Sequence, residues 1–278
     1  MKNLFLYIGF VILITSSFTT GQTYSWVEKY DSTNSLIHQI PPPQGFERVG
    51  VEANSFADWL RHIPLKPGKP DVLLHYGIEK RNQDIHHAVI DIDVGRTNLQ
   101  HGINAVIRLR GEYLYAAQKY SDLHFNFKTG HRVSFSNWTQ GYRPIVSEEG
   151  VMWVQSGDKG TSYRKFKNYI VQIMMHGGPP SLLEKTMPVL KTEDIKAGHI
   201  FLRAENLGNH AVLVMDVAEN SESGEKVFLV SQSYIPAQDI HILINPNDEA
   251  LSPWYSLDFG DTLITPEWKF SKTALKQF

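Results

Sequence analysis

Acid–base chemistry near neutral pH is most readily built on histidine. His210 opens the run Asn209-His-Ala-Val-Leu-Val-Met-Asp-Val217, which has the composition of a strand. Strand alternation places its side chain on the face of Val212, Val214 and Asp216. A polar turn carrying Gly224 follows, then Lys226-Val-Phe-Leu-Val-Ser-Gln-Ser-Tyr234, so the two runs are expected to form an antiparallel hairpin. With Ala218 paired near Val227, His210 lies opposite the neighbourhood of Tyr234, and Gln232 or Tyr234 sits beside the imidazole. A polar neighbour that orients the ring makes a general base. The same pattern also fits a histidine simply satisfied at a strand end. A second set is His87, Asp91 and Asp93, on one face of the run Asp84–Gly95. Histidine with carboxylates suits zinc or manganese. No HExxH-type spacing accompanies them, and no metal or cofactor is expected. The two runs echo each other from His87 and from His210, agreeing at five of eight positions. Histidine and aspartate six residues apart on a strand are ~20 Å apart, so neither run holds a His–Asp dyad by itself.

The elements that must carry these residues are legible in outline. Ser55 caps a short helix from Phe56 to Arg61, stopped by the proline-rich stretch 64–70. Residues 72–76 and 84–95 read as strands. Thr97 or Asn98 caps a helix to about Tyr120, with Leu99, Ile103, Val106, Ile107 and Leu114 as its apolar stripe. Gly102 is out of place in that first turn. Glycine there costs up to about 1 kcal/mol relative to alanine and leaves open space at the positive end of the helix. Residues 123–127 and 151–154 read as strands, and Ser162–Met175 as an amphipathic helix. Ser181-Leu-Leu-Glu184 reads as a capping box. The expected fold class is α+β, an antiparallel sheet packed against helices and holding residues 200–203, 210–218 and 226–234.

The chain divides into an expected signal peptide (1–21), a flexible lead-in segment (22–45) and a single domain (46–278). Leu4–Ile14 is an apolar run of eleven residues behind a lysine, short for a membrane span but suited to export. The expected location is periplasmic or at the cell surface, with no transmembrane segment once the signal is cleaved. The net charge of −2 and the lack of a long basic run give no basis for binding nucleic acid. The absence of cysteine excludes disulfides, thiolate metal sites and cysteine-peptidase chemistry.

Several stretches together resemble the DUF4846 family of exported proteins, common in Bacteroidetes. They include Ser55-Phe-Ala-Asp-Trp-Leu-Arg61, His87–Gly95, Arg108-Leu-Arg-Gly-Glu-Tyr113, Ser233–His241, Ser252-Pro-Trp-Tyr255 and Thr265-Pro-Glu-Trp268. Lys196-Ala-Gly-His-Ile-Phe201 with Asn209–Val214 is also similar to a strand pair of papain-like NlpC/P60 hydrolases. That resemblance implies a papain-like arrangement with His210 as base and Gln232 as its orienter. It places a cysteine, carried by many DUF4846 members, at the position of Gly102, which here is a vacant nucleophile position. Gln100, Tyr234, Asp91, Asp93 and His87 are the expected binding residues. The implied partner is a cell-wall peptide or an envelope protein. A hydrolase using a metal or another nucleophile around His87, Asp91 and Asp93 or His210 is the alternative.

Overall fold

A computed structural model of the protein describes residues 23–147, 150–205 and 208–278. The expected signal peptide lies outside these residues. The helices are α1 (Leu36–Gln39), α2 (Phe56–Arg61), α3 (Gly102–Ala116), α4 (Phe135–Thr139), α5 (Tyr163–His176) and α6 (Pro179–Leu183). The strands are β1 (Glu47–Arg48), β2 (His86–Val89), β3 (His124–Asn126), β4 (Arg132–Ser134), β5 (Tyr142–Ser147), β6 (Gly150–Gln155), β7 (Met187–Pro188), β8 (Ile200–Glu205), β9 (Gly208–Glu219), β10 (Lys226–Gln232), β11 (His241–Leu243), β12 (Tyr255–Ser256), β13 (Thr262–Ile264), β14 (Lys269–Ser271) and β15 (Leu275–Gln277). The main antiparallel sheet runs β2-β11-β10-β9-β8-β15-β7, with β1 also pairing β9 and β12 pairing β10. The molecule is thus mixed α and β around one large antiparallel sheet. Among the described residues, no helix is long and apolar enough to cross a membrane.

β9 is apolar on both faces because it separates two cores. Ala211, Leu213 and Met215 enter the larger core with α2, α3 and α5, while Val212, Val214 and Val217 enter a smaller one with Phe201, Phe228 and Phe270. The β9–β10 hairpin pairs Val227 with Ala218, then shifts register between Leu229 and Val230. This bulge corrects the expected face of Asp216, because one extra residue reverses strand alternation. Asp216 turns away from Val212 and Val214 and is held by Arg48 (2.6 Å) and Arg61 (2.6 Å).

α3 is buried along its first eight residues, Gly102 to Leu109, as befits a helix at the centre of the larger core. It starts later than the stripe suggests. His101 is its N-cap and makes no side-chain cap bond. α5 presents Phe166, Tyr169, Ile170 and Ile173 to the same core.

Other expectations are corrected. Residues 72–76 form only isolated bridges, Leu73 to Glu79 and Leu74 to Gln238. β2 ends at Val89, so Asp91 and Asp93 lie beyond it rather than on its face. α6 starts at Pro179, a residue suited to a first turn, and Ser181 instead donates from its hydroxyl to the Asn126 carbonyl. Within 22–45, Tyr24, Leu36 and Ile40 are buried in the larger core, where aromatic and aliphatic side chains outweigh the polar composition of the segment.

Candidate functional site

The N-terminal end of α3 meets the open end of the β9–β10 hairpin. The loop before α3 is fastened to the chain after β10. Asn98 Oδ1 accepts from the Ala237 amide (2.7 Å) and Gln100 Nε2 donates to the Gln238 carbonyl (3.2 Å). The Ser233 hydroxyl lies 2.5 Å from the Gln100 carbonyl and 2.8 Å from that of Gln238. These bonds fix where the first residue of the helix sits relative to β9.

That residue is Gly102, and it faces His210. A Cβ at position 102 would fall 2.3 Å from His210 Nδ1 and 2.5 Å from Cε1. The expected open space beside Gly102 is therefore absent, because the imidazole itself fills it. Close approach of ring to backbone is what the glycine permits.

The proton on His210 follows from its neighbours. Glu267 accepts from Lys80 (2.7 Å), and its other oxygen accepts from Gln232 Nε2 (2.6 Å). A carboxylate only accepts, so the amide nitrogen of Gln232 must face it and Oε1 must face His210. Oε1 lies 3.0 Å from His210 Nε2, which therefore carries the proton. Nδ1 keeps its lone pair and lies on the edge of the ring nearest Gly102. His241 completes the pattern. Its Nδ1 donates to the Asp239 carbonyl (2.9 Å), leaving Nε2 to accept at 3.4 Å from Gln232. Burial holds both rings neutral. It lowers the His210 pKa to about 4, against the hydrogen bond donated to Gln232, and that of His241 to about 3.

His210 is only 2% exposed. The Trp268 ring stacks on it (4.7 Å, 11°) and Tyr234 meets it edge-on (5.4 Å, 85°). Tyr234 thus serves as an aromatic wall while Gln232 makes the hydrogen bond. Gln100 is buried beside the site, and its Oε1 has no hydrogen-bond partner among the described residues.

The second set is not brought together. His87 is half-buried, and burial followed by the charges of Lys69 and His86 lowers its pKa. Asp91 is exposed on the rim of a surface cleft with Lys66 and Asp239. Asp93 is paired to Arg108 (3.1 Å) and Lys167 (2.9 Å). Burial raises its pKa, and the two cations outweigh that, so its carboxyl stays below the usual range. Among the described residues, no group of three or more histidine and carboxylate side chains is placed to hold a metal ion.

Residue types alone did not single out Lys80, His241, Glu267 and Trp268. Three of them stood within the stretches Ser233–His241 and Thr265–Trp268, whose roles were open. Pairing between such distant segments has no local signature.

The chain belongs to the family described as "Domain of unknown function (4846)", whose sequence pattern matches residues 36–277. No curated protein and no solved structure matches the chain.

Proposed function

We propose that this member of the family is an exported, papain-like domain without its nucleophile, which binds a cell-wall peptide or an envelope protein and does not cleave it. The observation that carries the reading is the placing of the unprotonated Nδ1 edge of His210 against Gly102, with Nε2 held by Gln232. A base oriented through one ring nitrogen, with the other beside the first residue of a long helix, is similar to the layout thiol chemistry uses. Glycine at 102 removes the reacting atom, and the chain has no cysteine to replace it. The neutral, oriented imidazole then serves as a fixed polar wall. Gln100 and Tyr234 flank it, and among the described residues the buried Gln100 Oε1 is an acceptor without a hydrogen-bond partner. Export is supported by the apolar run Leu4–Ile14.

The test is titration of the purified protein with cell-wall stem peptides, followed by mass spectrometry of the peptides. Saturable binding with the peptides intact is expected. Cleavage by the wild type that is lost in His210→Ala would replace this reading with an active hydrolase. Failure to bind any such peptide, or any envelope protein, would remove the binding role.

A further inference from the structure

Arg110 lies eight residues beyond Gly102 on α3, about 12 Å along the helix axis and so outside the His210 cluster. Three rings surround its guanidinium. Phe56 and Phe278 lie with their centroids 4.8 Å away, and Tyr113 at 5.4 Å. The Tyr113 ring is itself fixed, donating to the Asn54 carbonyl (3.0 Å) and accepting from Lys119 Nζ (3.1 Å). Stacking of this kind orients a planar cation and leaves its in-plane N–H donors free. Among the described residues, no hydrogen bond or ion pair uses any of those donors. Arg110 is also desolvated, and burial lowers its pKa with only partial opposition from Tyr113 and Asp122.

The guanidinium lines a groove of about 670 Å³. Its apolar wall is Phe56, Trp59 and Tyr113, and its polar rim is Glu52, Lys119 and Asp122. Arg110 and Lys119 are balanced by Glu52 and Asp122, which favours a ligand with a single negative charge over a dianionic phosphate.

We infer that the groove at Arg110 is a binding site for a monocarboxylate carried on an apolar or aromatic body, with the Arg110 fork on the carboxylate and the body against Phe56 and Trp59. A guanidinium matches a carboxylate bidentately. The aromatic wall matches the side chain of a free acid or of a peptide's C-terminal residue. This site goes beyond the reading of the His210 cluster and does not depend on it.

The experiment is calorimetric titration of the full chain with N-acetylphenylalanine, its carboxamide, phenyl phosphate, and a tripeptide ending in phenylalanine. Saturable binding of the acid and no binding of the carboxamide are expected, with phenyl phosphate weaker than the acid. The tripeptide separates the two sources. Binding tighter than the free acid assigns a peptide terminus, and weaker binding assigns a free acid. Arg110→Lys should weaken acid binding at least roughly ten-fold, since lysine cannot form the bidentate pair. His210→Ala should leave it unchanged. Equal binding of acid and carboxamide, absence of acid binding, or unaltered affinity in a folded Arg110→Lys would each overturn the site. The carboxamide comparison uses only wild-type protein, so it holds whether or not the variant folds.

Discussion

A single missing Cβ decides what His210 can do. The ring occupies the volume that any side chain at position 102 would need, and Trp268, Tyr234 and Gln232 hold it there. Gly102→Ala should therefore destabilise the protein by about 1–3 kcal/mol, as overpacking in a well-filled core does. Denaturant melts of the two proteins measure this, and equal midpoints would mean the ring yields freely. The His210 proton makes a second prediction. Its folded pKa of about 4 lies below the ordinary histidine value of about 6.5. Between those values the unfolded chain binds the proton and the folded chain does not. Stability is thus undiminished above pH ~6.5, falls as pH drops towards 4, and loses nothing further to this group below that. Histidine NMR titration should place His210 near 4. His210→Phe should flatten the acid-side decline in melting temperature by up to the equivalent of roughly 3 kcal/mol. An unchanged slope would show that the ring is already charged or solvated.

At the scale of elements, the hairpin and the two long helices were legible because their apolar patterns are strong and local. Val227 opposite Ala218 follows from turn chemistry and strand alternation, and the inward face of α5 from spacing alone. The bulge was not legible, since nothing in Leu213-Val-Met-Asp216 marks an extra residue. It reverses the side of Asp216 and creates a buried carboxylate between Arg48 and Arg61. Asp216→Asn should destabilise by about 3–5 kcal/mol, because two guanidinium groups then share no counter-ion in a buried setting. A chemical-denaturation midpoint near wild type would mean the arginines reach solvent. The His87–Asp91–Asp93 pattern failed for the opposite reason. Periodicity over-extended β2 past Val89, and Asp93 was taken by cations from α3 and α5. The Gly102–His210–Gln232 cluster was legible from an odd glycine and a hairpin register. Glu267, which sets the proton on His210, was not, because it pairs across 35 residues of sequence.

For the whole molecule, the segment before α2 behaves as part of the core. Tyr24 packs on Trp59 and Tyr30 and donates to the Trp59 carbonyl (2.8 Å), and Leu36 and Ile40 are fully covered. Limited proteolysis of purified protein should spare residues 24–40 and cut in the polar turn between β9 and β10. Early cleavage within 24–40 would contradict this packing. Export remains a proposal about residues beyond those described. Mass measurement on protein from the envelope fraction should find a chain beginning near residue 22, whereas an intact chain in the cytoplasm would contradict export.

The central proposal is that the first turn of α3 and His210 form a thiol site lacking its thiol. The most direct measurement is the thiolate titration of Gly102→Cys, followed by ultraviolet absorbance, alone and combined with His210→Phe. The imidazole must turn aside to admit the new Cβ, which would otherwise fall 2.3 Å from Nδ1. With the ring still beside the thiol, the expected thiol pKa is below the ordinary value of about 8.5 and rises again when His210 is replaced, since the helix terminus and an accepting imidazole both favour proton loss. A pKa at or above the ordinary value, indifferent to His210→Phe, would contradict it.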